Sequence, residues 1–292
     1  APVGEQQVPR ARDELRGPLT AVGLDQGVVT AVDDQHRHLD LVEAAESMDV
    51  ESDMHSIGET ARVSGLTVSA LRFYDAAGVH TPPPAYQQRV HEKVRAAGGL
   101  VVCDEVQSGL TRLGDHFWGF MDSGVVPDIV TMGKPMGAGH PLAAVVTTPE
   151  IAAAFARETD YFNTFGGSPV SAAAGQAVLD VVEREHLLAN VRRSGEHLIN
   201  GLRELAARHA LIGDVRGKGL FIAVELVRDR KTKEPARSAA AAVVEHLREH
   251  GVLTALIGRD RNALKFRPPL VFEKEHADIA LAALDNALSA VA

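Results

Sequence analysis

The stretch Leu100-Val-Val-Cys-Asp-Glu-Val-Gln107 decides the fold class. Its apolar first half predicts a short strand, and Asp104 and Glu105 stand where that strand ends. A second apolar run, Asp128-Ile-Val-Thr131, leads in the same way into the glycine-flanked Lys134. Polar residues just past strand ends are typical of α/β proteins, whose ligands lie outside the carboxyl ends of the strands. The sequence therefore predicts a ligand site formed by these two strand ends.

The pattern on either side of these strands alternates between helix and strand. Tyr86 to Ala97 has helical spacing, and Ser168 to His209 predicts two long helices. Residues 214–225 predict a turn that leads into a strand, and Lys274 to Val291 predicts a last amphipathic helix. We expect an α/β fold in which part of a large three-layer α/β/α domain is followed by a small α+β domain.

Four segments are predicted along the chain. The first is unassigned and poorly ordered, the second is a short helix-turn-helix, the third is the partial large domain and the fourth is the small domain. Their expected bounds are residues 1–53, 54–80, 81–180 and 181–292.

Composition excludes several classes of protein. The chain has 292 residues, 45% of them hydrophobic, and a net charge of −9, so it lacks the overall positive field that nucleic acids and anionic membranes attract. No apolar run approaches the roughly 18 residues of a membrane span. The single cysteine, Cys103, cannot form an internal disulfide, and its apolar neighbours predict a buried thiol and not a nucleophile. We expect a cytoplasmic protein without a metal site.

Asp104 and Lys134 together are what a pyridoxal phosphate (PLP) site requires. The lysine forms a Schiff base with the cofactor, and the aspartate keeps the pyridine nitrogen protonated, which makes the ring an electron sink. Many α/β proteins without this cofactor also carry an aspartate at a strand end and a lysine in a glycine-rich loop. The spacing alone therefore leaves both interpretations open.

Longer motifs around this pair resemble class III aminotransferases of fold type I. They are Leu100 to Gly114, His116-Phe-Trp-Gly-Phe120, Val126 to Leu142 and Tyr161 to Val170. The resemblance is expected from about Pro83 to the end of the chain. Within the class, the chain is similar to the branch that contains alanine–glyoxylate aminotransferase and ethanolamine-phosphate phospho-lyase.

The resemblance implies a role for individual residues. Lys134 is implied as the Schiff-base lysine, and Asp104 as the partner of the pyridine nitrogen. Gln107 would hydrogen-bond the ring hydroxyl oxygen, and Val106 would pack on the ring face. Thr164 would donate its hydroxyl to the cofactor phosphate of a neighbouring subunit, so the resemblance also implies a homodimer.

The sequence leaves two candidates for the residue that binds the substrate anion. In Asn262-Ala-Leu-Lys-Phe-Arg-Pro-Pro269, Lys265 stands where many relatives have an arginine, and Arg267 follows two residues later. Both are candidates for substrate binding, and a surface position is the alternative for each. The implied reaction is transamination between an amine or amino acid and a 2-oxo acid, with a phospho-lyase acting on a phosphorylated amine as the alternative.

Residues 56–79 resemble the first helix-turn-helix of MerR-type regulators, in which Arg72 and Tyr74 would lie near DNA. The wing and dimerising helix of such a domain are replaced by the proline run at 82–84, so we do not expect nucleic-acid binding. Residues 1–80 also show no glycine- and serine-rich phosphate loop of class III enzymes. We therefore expect a truncated enzyme of impaired activity; an inactive chimera and a fragment of a DNA-binding regulator are the alternatives.

Overall fold

The computed structural model describes residues 84–96 and 98–291, together with two short paired strands before them. Its helices are α1 (Pro84–Ala96), α2 (Pro149–Glu158), α3 (Pro169–Arg184), α4 (Leu187–Arg208), α5 (Arg237–Glu249) and α6 (Lys274–Val291). Its strands are β1 (Val22–Gly23), β2 (Thr30–Ala31), β3 (Val102–Asp104), β4 (Ile129–Met132), β5 (Ala144–Thr147), β6 (Ile212–Lys218), β7 (Phe221–Asp229), β8 (Glu234–Pro235), β9 (Leu256–Ile257) and β10 (Ala263–Phe266). Short 3₁₀ helices cover Gly119–Ser123 and Lys134–Gly137.

The described residues form two compact units. Residues 98–110 and 126–186 belong to the first unit, and residues 84–96, 111–125 and 187–291 belong to the second. The mixed α/β fold that the sequence predicts is confirmed, while the four segment bounds stay predictions. Arg72 and Tyr74, with the whole predicted helix-turn-helix, lie outside the described residues.

In the first unit a three-stranded sheet has the order β3-β4-β5. Strand β3 runs parallel to β4 with Asp104 opposite Thr131, whereas β5 is antiparallel to β4. Helix α2 follows β5 directly because Thr148 caps its first turn, accepting a hydrogen bond from the Ile151 amide at 3.4 Å, and Pro149 occupies the first helical position. The parallel pair places two carboxyl ends at one edge of the sheet, as predicted.

The second unit is built on an antiparallel sheet of order β6-β7-β10-β9, to which β8 adds beside β7. Helices α4, α5 and α6 supply a large apolar core with one face of this sheet. The fully buried leucines and isoleucines of this unit are Leu198, Leu202, Ile212, Leu220, Ile222, Leu226, Leu247, Leu264, Leu284 and Leu288. Burying ten such side chains stabilises the unit, since each contributes about 1.5–3 kcal/mol.

The pattern predicted most of these elements correctly. The two long helices within 168–209 and the helix over 274–291 are confirmed. The turn predicted within 214–225 is present at Gly219 and leads into β7, but strand β6 (Ile212–Lys218), which precedes this turn and pairs with β7, was not predicted. In the described part of the chain, no helix is long and apolar enough to cross a membrane.

Candidate active site

The site begins with Asp104, the last residue of β3. Its Oδ1 accepts a hydrogen bond from the Val106 amide at 3.0 Å and another from the Thr131 hydroxyl at 3.3 Å. Both donors therefore fix the carboxylate through the same oxygen. Within the described residues Oδ2 has no hydrogen-bond partner, so this oxygen is available to a ligand.

Lys134 follows the neighbouring strand β4 and opens the 3₁₀ helix. Its φ is +51°, a left-handed conformation that is uncommon for a residue with a side chain. The preceding Gly133 is tightly packed, since a Cβ there would lie 3.1 Å from the Ala143 Cβ. The Lys134 side chain is exposed, and it makes no ion pair with any residue in the described part of the chain. Its Nζ is thus available for covalent chemistry.

A turn places Val106 and Gln107 beside Asp104. The Gly109 amide donates to the Glu105 carbonyl at 3.0 Å, which closes the turn directly after β3. Val106 is half-buried and Gln107 is exposed. The structure therefore brings Asp104, Val106 and Gln107 together at the strand end, as the sequence predicts.

Thr164 lies in a loop of the same unit, between α2 and α3. Asn163 organises this loop: its side-chain oxygen accepts from the Phe165 amide at 3.0 Å, and its carbonyl accepts from the Gly166 amide at 3.2 Å. Thr164 is exposed, and a Cβ added to Gly167 would meet no atom within 4 Å. The loop therefore presents a hydroxyl next to open space.

Two features of this unit were missed from the sequence. Glu105 is only 3% exposed and accepts a hydrogen bond from the Ser108 hydroxyl at 2.9 Å. Side chains alternate along a strand, so the alternation pattern could have placed Glu105 on the inward side once Asp104 is exposed. The second feature is the 2.9 Å hydrogen bond between His140 Nε2 and the Ser171 hydroxyl, which joins the loop after Lys134 to helix α3.

Cys103 is half-buried in β3, less than the buried thiol that the sequence predicts. Burial raises its pKa to about 11, and the negative charges of Glu105 and Asp128 add to the effect. The thiolate, which is the nucleophilic form, is therefore scarce at neutral pH.

Lys265 and Arg267, the predicted substrate-binding residues, belong to the second unit. Lys265 is half-buried in β10, and its amide donates to the Ala255 carbonyl at 3.0 Å. The Arg267 guanidinium lies 4.2 Å from the centroid of the Phe221 ring. Both residues line a mostly apolar cavity of about 350 Å³, with Val252, Leu253, Thr254, Ala255, Phe266, Pro268, Phe272 and Ala280.

The residues of the first unit fit PLP as their ligand. A pyridine N–H needs a fixed carboxylate oxygen, which Asp104 offers, and a carbonyl carbon needs an amine without an ion pair, which Lys134 offers within the described part. An exposed hydroxyl at Thr164 is a suitable donor to a phosphate.

Comparison with known proteins identifies the class. The model of the aminotransferase class-III family matches residues 29–288, and the chain belongs to this family. Class III aminotransferases are PLP-dependent enzymes. The match begins well before Pro83, where the motifs of the sequence led us to expect its start.

Two curated relatives show which members of the family this chain is similar to. Alanine–glyoxylate aminotransferase 2 homolog 2, mitochondrial, of Arabidopsis thaliana is 45% identical over 237 residues, which are 81% of this chain and 49% of the relative. Ethanolamine-phosphate phospho-lyase homolog 1 of Caenorhabditis elegans is 42% identical over 246 residues, 83% of this chain and 52% of the relative. The chain thus spans about half the length of these curated relatives.

The chain is also similar to solved structures of a phospholyase and of an amine transaminase. A phospholyase from Arthrobacter in complex with phosphoethanolamine has a TM-score of 0.72 and 38% identity, over 89% of this chain and 62% of that one. An amine transaminase from an uncultivated Pseudomonas species, in its PLP-bound form, has a TM-score of 0.69 and 36% identity, over 74% of this chain and 50% of that one.

Proposed function

We propose that this chain carries the lysine half of a PLP-dependent aminotransferase site and exchanges an amino group between an amine or amino acid and a 2-oxo acid. One observation carries the proposal: Asp104 is fixed through Oδ1, with Oδ2 available, at the end of a strand parallel to the one that leads into Lys134. Membership of the class-III family supports the choice of reaction.

The residues would act as follows. When bound, PLP withdraws electrons from the carbon that carries the amino group of the substrate, which makes the proton on that carbon acidic. The Asp104 carboxylate would accept the pyridine N–H and maintain this electron withdrawal. Lys134 Nζ would be the point of covalent attachment and, once the substrate amine had displaced it, would remove the α-proton and pass it to the cofactor side, so that the amino group can leave the substrate carbon.

The other predicted residues would position the ligand. Gln107 would hydrogen-bond the ring hydroxyl oxygen, and Val106 would pack against the ring face. Thr164 would donate to the phosphate in the site of a second copy of the chain, so a homodimer is part of the proposal. Lys265 or Arg267 would bind the anionic group of the substrate.

A phospho-lyase acting on a phosphorylated amine is the second candidate. It is supported by the similarity to the Arthrobacter phospholyase and the Caenorhabditis elegans homolog. Lysine in place of arginine at 265 is compatible with either substrate, because an ammonium binds phosphate as well as carboxylate. Assays for phosphate release and for amino transfer on one preparation separate the two reactions.

The first experiment on the proposed site is cofactor retention. The chain is incubated with PLP, dialysed and examined by visible absorption, with Lys134→Ala in parallel and Lys274→Ala as a matched lysine control on α6. We expect a retained band in the parent and in Lys274→Ala, and none in Lys134→Ala. A folded parent that retains no cofactor would contradict the proposal and would support the inactive alternative.

The MerR-type resemblance of residues 56–79 stays a separate prediction. Its test is salt-dependent binding of the chain to duplex DNA, because phosphate contacts weaken steeply as salt rises. Cytoplasmic residence also stays a prediction, and two of the relatives carry the word mitochondrial in their names.

A further inference from the structure

The backbone around Lys134 is held in conformations that its residues do not favour. Lys134 and Ala138 have φ values of +51° and +47°, in the left-handed region that residues with a Cβ seldom adopt. A backbone of this kind persists only where the surrounding contacts hold it. The direction of the Lys134 side chain therefore depends on what fixes residues 133–142, which we call the lysine segment.

Helix α3 packs against the lysine segment. Gly175 of α3 lies so close to it that a Cβ there would stand 2.7 Å from the Leu142 Cδ2 and 4.0 Å from the Met136 carbonyl oxygen. Leu142 is buried in this contact region. The absence of a side chain at Gly175 thus lets α3 approach the segment closely.

Ser171 lies one helical turn before Gly175, on the same face of α3. The start of the helix is fixed, because the Ser168 hydroxyl accepts from the Ser171 amide at 3.5 Å and Pro169 occupies the first helical position. Ser171 itself is only 3% exposed, and a hydroxyl buried to this extent needs a hydrogen-bond partner.

His140 of the lysine segment is that partner. Its Nε2 lies 2.9 Å from the Ser171 hydroxyl oxygen. The His140 amide also donates to the Gly137 carbonyl at 3.0 Å, which joins this residue to the end of the 3₁₀ helix that Lys134 opens. Among the described residues, no other side-chain hydrogen bond involves the lysine segment.

We propose that His140 and Ser171 are positioning residues for Lys134. They act through the backbone of the lysine segment, which their hydrogen bond holds on α3. The inference rests on the proposed function, because it concerns how often Lys134 Nζ comes within reach of the PLP aldehyde carbon. Without the hydrogen bond, the segment can leave its left-handed conformation more easily, and Nζ is in reach for a smaller fraction of the time.

Hydrogen–deuterium exchange tests this pair without any cofactor. The amides of Met136, Ala138 and His140 each donate to a carbonyl three residues earlier in the chain. A peptide that covers residues 133–142 therefore reports how often the lysine segment opens.

Four variants of the full chain are compared with the parent. Ser171→Ala and His140→Phe remove the hydrogen bond from either side, whereas His140→Gln offers an amide donor and acceptor in place of the ring nitrogen. Ser194→Ala is the matched control, because Ser194 on α4 is equally buried and donates its hydroxyl to Asn190 Oδ1 at 3.4 Å. Thermal unfolding verifies that each variant is folded. If His140→Phe fails to fold, Ser171→Ala decides the result.

We expect the 133–142 peptide to exchange about fivefold to tenfold faster in Ser171→Ala and His140→Phe, the effect of losing one hydrogen bond with a buried partner. His140→Gln and Ser194→Ala should exchange as the parent does. The double variant of Ser171→Ala and His140→Phe should exchange no faster than either single variant, since both remove the same bond. Unchanged exchange in folded Ser171→Ala, or effects that multiply in the double variant, would overturn the proposal.

The rate of cofactor attachment tests the consequence for Lys134. The neutral amine adds to the aldehyde carbon, the carbonyl oxygen leaves as water with both amine protons, and borohydride reduces the resulting C=N bond. PLP is used in excess, so that the exposed Lys274 is also labelled and serves as an internal reference in the same digest. We expect the ratio of Lys134 to Lys274 labelling rates to fall about fivefold in Ser171→Ala and to stay unchanged in Ser194→Ala. An unchanged ratio in Ser171→Ala, with only a lower unfolding temperature, would overturn the positioning role.

The two measurements fail in distinguishable ways. Preferred labelling of Lys134 in the parent, with exchange and labelling unchanged in Ser171→Ala, would contradict the positioning pair alone. Faster exchange in Ser171→Ala, with no preference for Lys134 in the parent, would contradict the proposed function alone.

Discussion

The Thr131 hydroxyl donates a hydrogen bond to the Asp104 carboxylate at 3.3 Å, from one parallel strand end to the next. The threonine thus helps to orient the group that would pair with the pyridine nitrogen of PLP. The Thr131 side chain on β4 bonds Oδ1 of the carboxylate and leaves Oδ2 available to a ligand. The pairing of β3 with β4 therefore helps to determine how the Asp104 carboxylate is oriented in the candidate site.

Thr131→Val keeps the shape of the side chain and removes the hydroxyl donor. We expect PLP to bind about fivefold more weakly, because the lost hydrogen bond to the carboxylate is long, at 3.3 Å, and is worth about 1 kcal/mol. Thr131→Ser, which keeps the hydroxyl, is the control and should bind PLP as the parent does. Absorption titration with PLP measures both affinities, and equal affinities for parent and Thr131→Val would show that the hydroxyl does not position Asp104.

Cys103 should react slowly with alkylating reagents. Because its pKa is raised to about 11, the thiolate fraction at pH 8 is roughly 200-fold smaller than that of a free cysteine of pKa about 8.5. Iodoacetamide labelling followed by mass spectrometry measures the rate at this single cysteine. The rate should still be rising between pH 9 and pH 10.5; a plateau below pH 9 would contradict the raised pKa.

Asp285 should stabilise the fold above about pH 4 and lose this effect in acid. Hydrogen bonds from His209, at 2.5 Å, and from Arg208, at 2.8 Å, lower the pKa of its carboxyl. A group with a lowered folded pKa contributes stability above its unfolded value of about 3.9, and the contribution disappears as the pH falls through the folded value.

At pH 7 the midpoint temperature of unfolding, Tm, should therefore be a few degrees lower for Asp285→Asn than for the parent. Below about pH 3 the two Tm values should converge. Asp278→Asn is the control, since Asp278 bonds His197 in a more exposed position and should show a smaller difference. A constant difference from pH 7 to pH 3 would mean that the Asp285 charge does not contribute.

Gly195 should tolerate no side chain. A Cβ there would lie 2.7 Å from the Gly219 Cα, in the turn between β6 and β7, so α4 or the turn must shift. Gly195→Ala should lower the free energy of unfolding by about 1–3 kcal/mol, the usual range for overpacking. Gly201→Ala on the same helix contacts only the Leu281 side chain, which can rotate, and should be tolerated better. Denaturant unfolding compares the two variants.

The sequence was informative where one local pattern governs the structure. The helix Lys274–Val291 was predicted at its observed bounds, because alanine and leucine recur along it at helical spacing and a polar turn precedes it. Strand β6 was missed because Asp214, Arg216, Gly217 and Lys218 are typical of a turn. Its pairing with β7, including the bulge near Ile212 and Asp214, comes from tertiary contacts that no local pattern carries.

The same distinction between local pattern and tertiary contact applies to the candidate site. Asp104 and Lys134 could be predicted because each follows an apolar strand within a few residues. The hydrogen bonds of Arg112 could not be predicted, because the Leu220 and Pro268 carbonyls that accept them are 108 and 156 residues away in sequence. The stacking of Arg267 on Phe221 likewise appears only when β7 and β10 pair.

The most direct test of the account is to identify the lysine that carries the cofactor. The chain is incubated with PLP, reduced with borohydride to fix the pyridoxyl group on nitrogen, and digested for peptide mass spectrometry. We predict a single dominant modification at Lys134, with exposed lysines such as Lys274 unmodified at stoichiometric PLP. Labelling spread evenly over several lysines, or concentrated at a lysine other than Lys134, would contradict the central claim.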